Sequence, residues 1–343
     1  MSELPTFTKE YRTQPGKGLD NITLTSANLI PPGDNEVLVK IQAVSMQYRD
    51  HAIATGTYPL YVKDNVVPGS DCAGEVVAVG FAVKYWKKGD RVCSNFNIEQ
   101  IYGELTEKHA NSALGGPIDG VLTEYKVFPE HCLVKVPDFM SYEEASTLPG
   151  AALTAYNALN GPVPVKAGDY VLTQGTGGVS IFAVQIAIAS GATVIATTSS
   201  PEKVAFLKSL GVEHVINYKE KPHWGEDVLK ITGIGVDHTI ELGGARTINE
   251  AFKCTKYAGW IHTIGFLAGE GEASNLHLEC LVKNITLRGI IVGPRSKFED
   301  MNRLFEAKKI RPVIDKVFPF EKVPQAFAYV QAQKQVGKVV IKL

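Results

Sequence analysis

Gln174-Gly175-Thr176-Gly177-Gly178-Val179-Ser180 stands between an apolar run, Val171-Leu172-Thr173, and a helix-length amphipathic segment over 178–190. Strand, glycine-rich turn and helix in that order form the context in which a turn cradles the pyrophosphate of a dinucleotide. Gly175 permits the tight turn, Gly177 lets the backbone approach the phosphates closely, and the N-terminus opened by Gly178 and Val179 supplies N–H groups and a positive dipole. Ser180 takes the place of the usual third glycine and is small enough for helix to pack on strand. An ordinary glycine-rich turn has the same composition; the surrounding βαβ period makes the motif specific.

Outward from this turn the period continues. Val194-Ile195-Ala196-Thr197 is the next strand and Pro201–Leu210 the next helix, with Pro201 at a helix start and Gly191 and Gly211 where helix ends favour positive φ. Further strands are expected at Asp237–Glu241, Trp260–Gly265 and Thr286–Val292, about six in all for a doubly wound parallel sheet. Before this region, β-branched runs such as Glu36-Val37-Leu38-Val39-Lys40-Ile41 and Gly74-Glu75-Val76-Val77-Ala78-Val79-Gly80, punctuated by Gly, Pro and Asp, predict a mainly β domain. After residue 292, a helix (Phe298–Lys308) and a last strand (Lys338–Leu343) return to it. The expected class is α/β: a mainly β domain over 1–151 and 292–343, and a nucleotide-binding Rossmann domain over 152–291.

The chain has 343 residues, with 35 Lys plus Arg against 36 Asp plus Glu. Near-neutrality gives no electrostatic reason to expect nucleic acid or an anionic membrane as partner, so a small-molecule substrate is expected. Five scattered cysteines without a Cys-x-x-Cys pair read as free thiols of a reducing compartment. The N-terminus carries no basic segment followed by an apolar stretch, and no run of about 18 apolar residues occurs, so a soluble cytoplasmic protein is expected.

Which dinucleotide is bound is read about 20 residues after the glycine turn, where an acidic side chain would hold the ribose hydroxyls of NAD. Here stand Thr197-Thr198-Ser199-Ser200, with Lys203 one turn into the following helix. Hydroxyls and an ammonium suit a 2′-phosphate, so NADPH is expected over NADH. The same serines also suit a helix cap before Pro201.

The ordered motifs Tyr48-Arg49-Asp50, Pro68-Gly69-Ser70-Asp71-Cys72-Ala73-Gly74-Glu75-Val76-Val77, Gly89-Asp90-Arg91-Val92, Leu148-Pro149-Gly150-Ala151-Ala152-Leu153-Thr154-Ala155-Tyr156, the glycine turn, Ile216-Asn217-Tyr218, Gly243-Gly244 and Gly337-Lys338-Val339-Val340-Ile341 span almost the whole chain. Together they resemble the medium-chain dehydrogenase/reductase superfamily, and within it the zinc-lacking, quinone oxidoreductase-like branch. The resemblance implies a GroES-like catalytic domain, a homodimer in which the strands at Trp260–Gly265 and Thr286–Val292 pair across the axis, and further cofactor contacts. For those it points to Thr154 and the turn Gly265-Phe266-Leu267 by the nicotinamide, Tyr218 near the adenosine phosphate, and Val292, Gly293 and Lys338 from the returning segment. The positions that hold catalytic zinc in the alcohol dehydrogenases match Gln47, Ser70 and Gly150, none a usual zinc ligand, and residues 94–131 contain no cysteine for a structural zinc. His131 with Cys132, and His277 with Cys280, offer two ligands each, and nothing in the sequence completes either pair. No metal is expected.

Without a Lewis acid, a carbonyl must be activated by hydrogen bonds, or the acceptor must be more reactive. The expectation is hydride transfer from NADPH to a quinone or an α,β-unsaturated carbonyl compound. An enone or enal reductase of biosynthesis or detoxification, and a non-catalytic NADPH-binding scaffold, are the alternatives. Tyr58 matches a tyrosine near the substrate of related enoyl reductases and is the expected donor, against a packing role before Pro59. Gln47 is expected to orient a carbonyl through its amide, and Tyr48 to line the same pocket. Arg49 and Asp50 read as structural, pairing with each other or with neighbours to hold the loop, and His51 as a solvated or supporting residue.

Overall fold

Val37, Val39, Ile41 and Val44 on one long run, and Cys72 and Val76 on another, are buried, and these apolar positions are what make the runs pair as strands. The computed structural model describes residues 5–269, 271–272 and 275–343. It divides into two units, Met1–Leu153 with Val292–Leu343, and Thr154–Ile291. In chain order the strands are β1 (Phe7–Arg12), β2 (Thr23–Asn28), β3 (Glu36–Ser45), β4 (Asp71–Val79), β5 (Arg91–Ser94), β6 (Tyr125–Pro129) and β7 (Leu133–Lys135). Then come β8 (Tyr170–Gln174), β9 (Thr193–Thr198), β10 (His214–Asn217), β11 (Val236–Glu241), β12 (Thr255–Thr263) and β13 (Thr286–Gly289), followed by β14 (Ile314–Pro319) and β15 (Lys338–Lys342).

In the first unit β1 and β2 form a hairpin, and a larger sheet runs β14-β15-β3-β4-β5-β7 with β6 also on β3. The last strand therefore lies beside the third: β15 is antiparallel to β3, Val340 opposite Ser45, and Met46 N donates to Val339 O at 2.9 Å. This pairing places Lys338, at the start of β15, near the end of β3 and the short helix Tyr48–Thr55 that follows it. The core is aliphatic and aromatic, with Val39, Ile41, Val76, Leu122, Phe128, Phe327 and Ile341 in one cluster.

The second unit is a parallel sheet in the order β10-β9-β8-β11-β12-β13, the doubly wound order expected from the alternating pattern. Leu172, Ile195, Val236, Ile240 and Ile261 are all buried, as strands covered by helices on both faces require. Chain order reverses beside β8, so the glycine turn after β8 opens at the topological switch point, where such sheets bind ligands. Element ends differ from expectation in detail. β12 begins at Thr255 and stops at Thr263, β13 stops at Gly289, and the helix expected from Phe298 begins at Arg295, directly after Pro294 at its N-cap.

Candidate active site

Most of the residues expected to hold a nucleotide lie at the carboxyl ends of the second unit's strands. Gly175 has φ +74°, a conformation that favours glycine, and its N–H donates to Thr197 O at 2.8 Å, tying the turn to β9. Gly177 is the N-cap of the helix Gly178–Ala189, and a Cβ added there would meet nothing within 4 Å. That open space above a helix N-terminus fits the pyrophosphate of a dinucleotide. Ser180 is buried and its Oγ donates to Gln174 O at 2.7 Å, so the residue in the third glycine's place binds helix to strand.

Thr198 is buried at the end of β9, and Tyr218 N donates to Thr198 O at 2.9 Å, so the strand ends bring Tyr218 beside the Thr198-Ser199 segment. Ser200 caps the next helix, its Oγ accepting from Lys203 N at 3.4 Å, while Ser199 makes no part of that cap. Thr154 is buried in the helix Leu153–Leu159. Gly265, Phe266 and Leu267 follow β12, with Leu267 N donating to Leu242 O at 3.0 Å; Phe266 and Leu267 are exposed.

In the first unit the three positions matched to metal ligands come together on a carboxylate. Asp71 opens β4. Gln47 Nε2 donates to Asp71 Oδ2, Gly150 N donates to the same oxygen at 2.8 Å, and Ser70 Oγ donates to Oδ1 at 2.6 Å. Gly150 lies so close that an added Cβ would stand 2.5 Å from Asp71 Oδ2 and 2.7 Å from Gln47 Nε2, which is why no larger residue fits there. Gln47 is also the N-cap of the helix Tyr48–Thr55, and Asp50 Oδ2 accepts from its backbone N–H at 2.8 Å. Lys338 is buried and donates from Nζ to Met46 O at 2.5 Å.

Charge ties these groups together. Burial pushes the Asp50 carboxyl up to about 6, against the bond from Gln47 N and the attraction of Arg49 and Lys338. Burial also raises Asp71, opposed by Lys338 and by the donors from Ser70, Gln47 and Gly150. Lys338 is pushed down to about 8 by burial, although both carboxylates favour its charged form. The result is two buried acids around one buried base.

Tyr58 belongs to a separate cluster. The Arg49 guanidinium lies over its ring at 5.1 Å and over the Phe96 ring at 4.9 Å, while Nη1 donates to Leu114 O at 2.7 Å. Arg49 thus joins the segment around Tyr58 to the loops at 96 and 114, and Asp50 caps the helix; of the two expected arrangements, pairing with neighbours is the one adopted. The Tyr48 ring lies tilted against that of His51, centroids 5.7 Å apart and planes at 55°. Val292 is buried with φ +51°, and Gly293 O accepts weakly from Asn95 Nδ2 at 3.5 Å. Of the rival metal pairs, His131 meets Glu99 at 3.2 Å. Among the described residues no group of three or more His, Cys, Asp or Glu is placed to hold a metal ion.

Comparison with known proteins places this geometry. Residues 33–138 match the family model of the alcohol dehydrogenase GroES-like domain, and residues 178–307 that of zinc-binding dehydrogenase. A zinc-type alcohol dehydrogenase-like protein of Schizosaccharomyces pombe is 48% identical over 314 residues, covering 90% of this chain and 91% of that protein. The chain belongs to the medium-chain dehydrogenase/reductase superfamily. Its relatives in the superfamily have diverse names. The quinone oxidoreductase of Pongo abelii is 26% identical over 95% of both chains, and a crystal structure of an NAD-dependent alcohol dehydrogenase superposes with a TM-score of 0.87 at 28% identity, covering 98% of this chain and 99% of that one. An oxidoreductase that binds a nicotinamide cofactor follows from membership. Which chemistry it performs depends on its own side chains.

Three functional candidates in this superfamily member escaped the sequence reading: Asp71, Asp50 as a buried acid, and Glu241 at the end of β11. Asp71 adjoins Ser70 in the quoted motif, and only the folding of Gln47 and Gly150 onto it reveals its part.

Proposed function

We propose that this protein is an NADPH-dependent reductase that delivers hydride to a quinone or to an alkene conjugated with a carbonyl, without zinc. One observation carries the reading: Gln47, Ser70 and Gly150, at the metal-ligand positions of zinc relatives, are hydrogen-bond donors to Asp71. An amide, a hydroxyl already committed to a carboxylate and a glycine offer no usual zinc ligand set. Reduction of an ordinary carbonyl builds alkoxide charge that a Lewis acid would hold, whereas a conjugated acceptor spreads that charge over more atoms. Similarity to a quinone oxidoreductase supports the same class.

Gly175, Gly177, Gly178 and Val179 would hold the pyrophosphate, Thr198, Ser199, Lys203 and Tyr218 the 2′-phosphate side, and Thr154 with Gly265, Phe266 and Leu267 the nicotinamide side, where the reduced ring supplies hydride when bound. Asp71 fixes the Gln47 amide with Nε2 toward the carboxylate, because an ionised carboxylate can only accept. Gln47 and Tyr58 are then the polar groups available to an acceptor oxygen, with Tyr48 in the wall and Tyr58 the donor of the final proton. Four cysteines are buried and Cys280 partly so, all as free thiols, which supports a cytoplasmic setting. Among the described residues no helix is long and apolar enough to cross a membrane. The sheet has two edge strands, β10 and β13, and β13, within the stretch Thr286–Val292, is the one on which the proposed homodimer would pair.

The test is NADPH oxidation by metal-free protein against quinones, enones, enals and simple aldehydes, with NADP⁺ and simple alcohols in the reverse direction. Conjugated acceptors should turn over and simple alcohols should not. Tyr58→Phe should lower turnover about ten- to a thousandfold with cofactor affinity preserved, as loss of a positioned donor does. Efficient ethanol or benzyl alcohol oxidation by metal-free protein, or one firmly bound zinc per chain, would refute the proposal.

A further inference from the structure

At the switch point of the second unit, two buried side chains from neighbouring strands knit three loops together. β8 ends at Gln174 and β11 at Glu241; the strands pair in parallel, Ile240 opposite Thr173, so both residues stand at the same carboxyl end. Gln174 Nε2 donates to Glu241 Oε2, and Gln174 Oε1 accepts from Leu242 N and Gly243 N, each at 3.1 Å. Glu241 Oε1 accepts from Gly243 N at 2.8 Å, Gly244 N at 2.9 Å and Thr247 Oγ1 at 2.6 Å. The loop held in this way holds the next in turn, for Leu242 O accepts from Leu267 N at 3.0 Å and Gly243 O from Ala268 N at 2.9 Å. Gly265 packs so closely on Leu242 that an added Cβ would lie 2.6 Å from its carbonyl oxygen.

We infer that Glu241 is a positioning residue for the bound nicotinamide nucleotide, fixing the backbone of Gly243 and Gly244 and, through it, the turn from Gly265 to Ala268. Burying a carboxylate among neutral donors costs free energy that a simple strand end does not require. What the carboxylate adds is an acceptor-only group that meets several N–H and O–H donors at once, which no neutral side chain of its size can do. Its location gives the arrangement a purpose: Gln174 directly precedes the glycine turn, and the Gly265 turn carries the exposed Phe266 and Leu267. One rigid network thereby sets the loops after β11 and β12 relative to the phosphate turn. The raised pKa of Glu241, caused by burial and opposed by these donors, adds that the network weakens when acid protonates the carboxyl.

The inference rests on reading the second unit as the nucleotide site, and two probes separate them. Calorimetric titration of the full chain would use NADPH and 2′,5′-ADP, which shares the adenosine phosphates and lacks nicotinamide. Glu241→Gln replaces an acceptor with an amide that presents N–H to N–H. It should raise the Kd for NADPH about ten- to a hundredfold, the range for lost hydrogen bonds to a charged group, with 2′,5′-ADP affinity held within about threefold. Thr247→Val removes one donor with little change of shape and should shift NADPH alone by about three- to tenfold, which keeps the test open should Glu241→Gln fold poorly. Equal losses for both probes would make Glu241 a plain structural residue, and no loss for either would make it irrelevant; both overturn the inference. Failure of the unaltered protein to bind either probe would overturn the nucleotide reading, and the inference with it.

Discussion

Asp71 in the first unit and Glu241 in the second are both buried at strand ends, and each accepts from a glutamine amide, a backbone N–H and a hydroxyl. They differ in what balances the charge. Asp71 shares its surroundings with a second acid, Asp50, and with the buried ammonium of Lys338, which lowers the pKa of both acids. The hydrogen-bond donors on Glu241 are Gln174, Gly243, Gly244 and Thr247, all neutral. Counter-charge answers burial in one region and oriented dipoles answer it in the other. The first solution is strong but titratable from both sides; the second is geometric and depends on every donor staying in place.

Removing the counter-charge should expose that difference most. Lys338→Met leaves buried Asp71 without its cation and Asp50 with Arg49 alone, and breaking such a set typically costs about 3–5 kcal/mol. The loss should be largest near pH 7 and shrink toward pH 5, where Asp50, raised to about 6, takes up its proton. Denaturant unfolding at the two pH values measures it. An equal loss at both would mean that Lys338 acts by packing and by its bond to Met46 O, and that the two regions are alike after all.

A smaller effect is expected from Asp50, whose carboxyl is pushed from 3.8 to about 6 and whose Oδ1 is buried without a hydrogen-bond partner. Below the usual value both folded and unfolded chains are protonated there. As pH rises from about 4 to 6 the unfolded chain releases its proton first, so stability falls across that window, by about 2–3 kcal/mol from this group alone. Asp50→Asn keeps a cap for the helix Tyr48–Thr55 and removes the titration. Its stability should vary less between pH 4 and 6 than that of the unaltered protein, by thermal unfolding in matched buffers; an unchanged slope would assign the pH response elsewhere.

How much of this was legible in the sequence follows the same division. The parallel sheet was readable because Val171-Leu172, Val194-Ile195 and their counterparts are buried on both faces and so appear as apolar runs, and because Gly175 and Gly177 mark the switch point. Strand ends were less so: β12 extends back to Thr255 through Ala258 at φ +57°, a conformation that sequence gives no reason to expect of alanine. Gln47, Ser70 and Gly150 could be singled out one by one from matched motifs, but their common partner could not, since three residues from three separated segments meet only after folding. Glu241 had a faint signal, an acid closing an apolar strand just before Gly243-Gly244, a pattern that a solvated strand end shares.

The smallest predicted effects compare the two carboxylates donor for donor. Ser70→Ala removes the hydroxyl from Asp71, and Thr247→Val removes the hydroxyl from Glu241, at nearly equal bond lengths of 2.6 Å. Each should cost about 1–2 kcal/mol at pH 7, as a hydrogen bond to a charged group does. If counter-charge anchors the first region, the Lys338 ammonium still favours an ionised Asp71 after Ser70→Ala, so the loss should lie at the lower end of that range. After Thr247→Val, Glu241 has only neutral donors left to oppose burial, so its pKa climbs further and the loss should be the larger of the two. Acidification then separates them again: protonating Glu241 turns an acceptor oxygen into a hydroxyl, the Thr247 bond loses its charged partner, and the cost of Thr247→Val should fade as pH drops. Equal costs with equal pH dependence would show that the Lys338 charge is too well screened to matter at Asp71, and that local hydrogen bonds govern both sites.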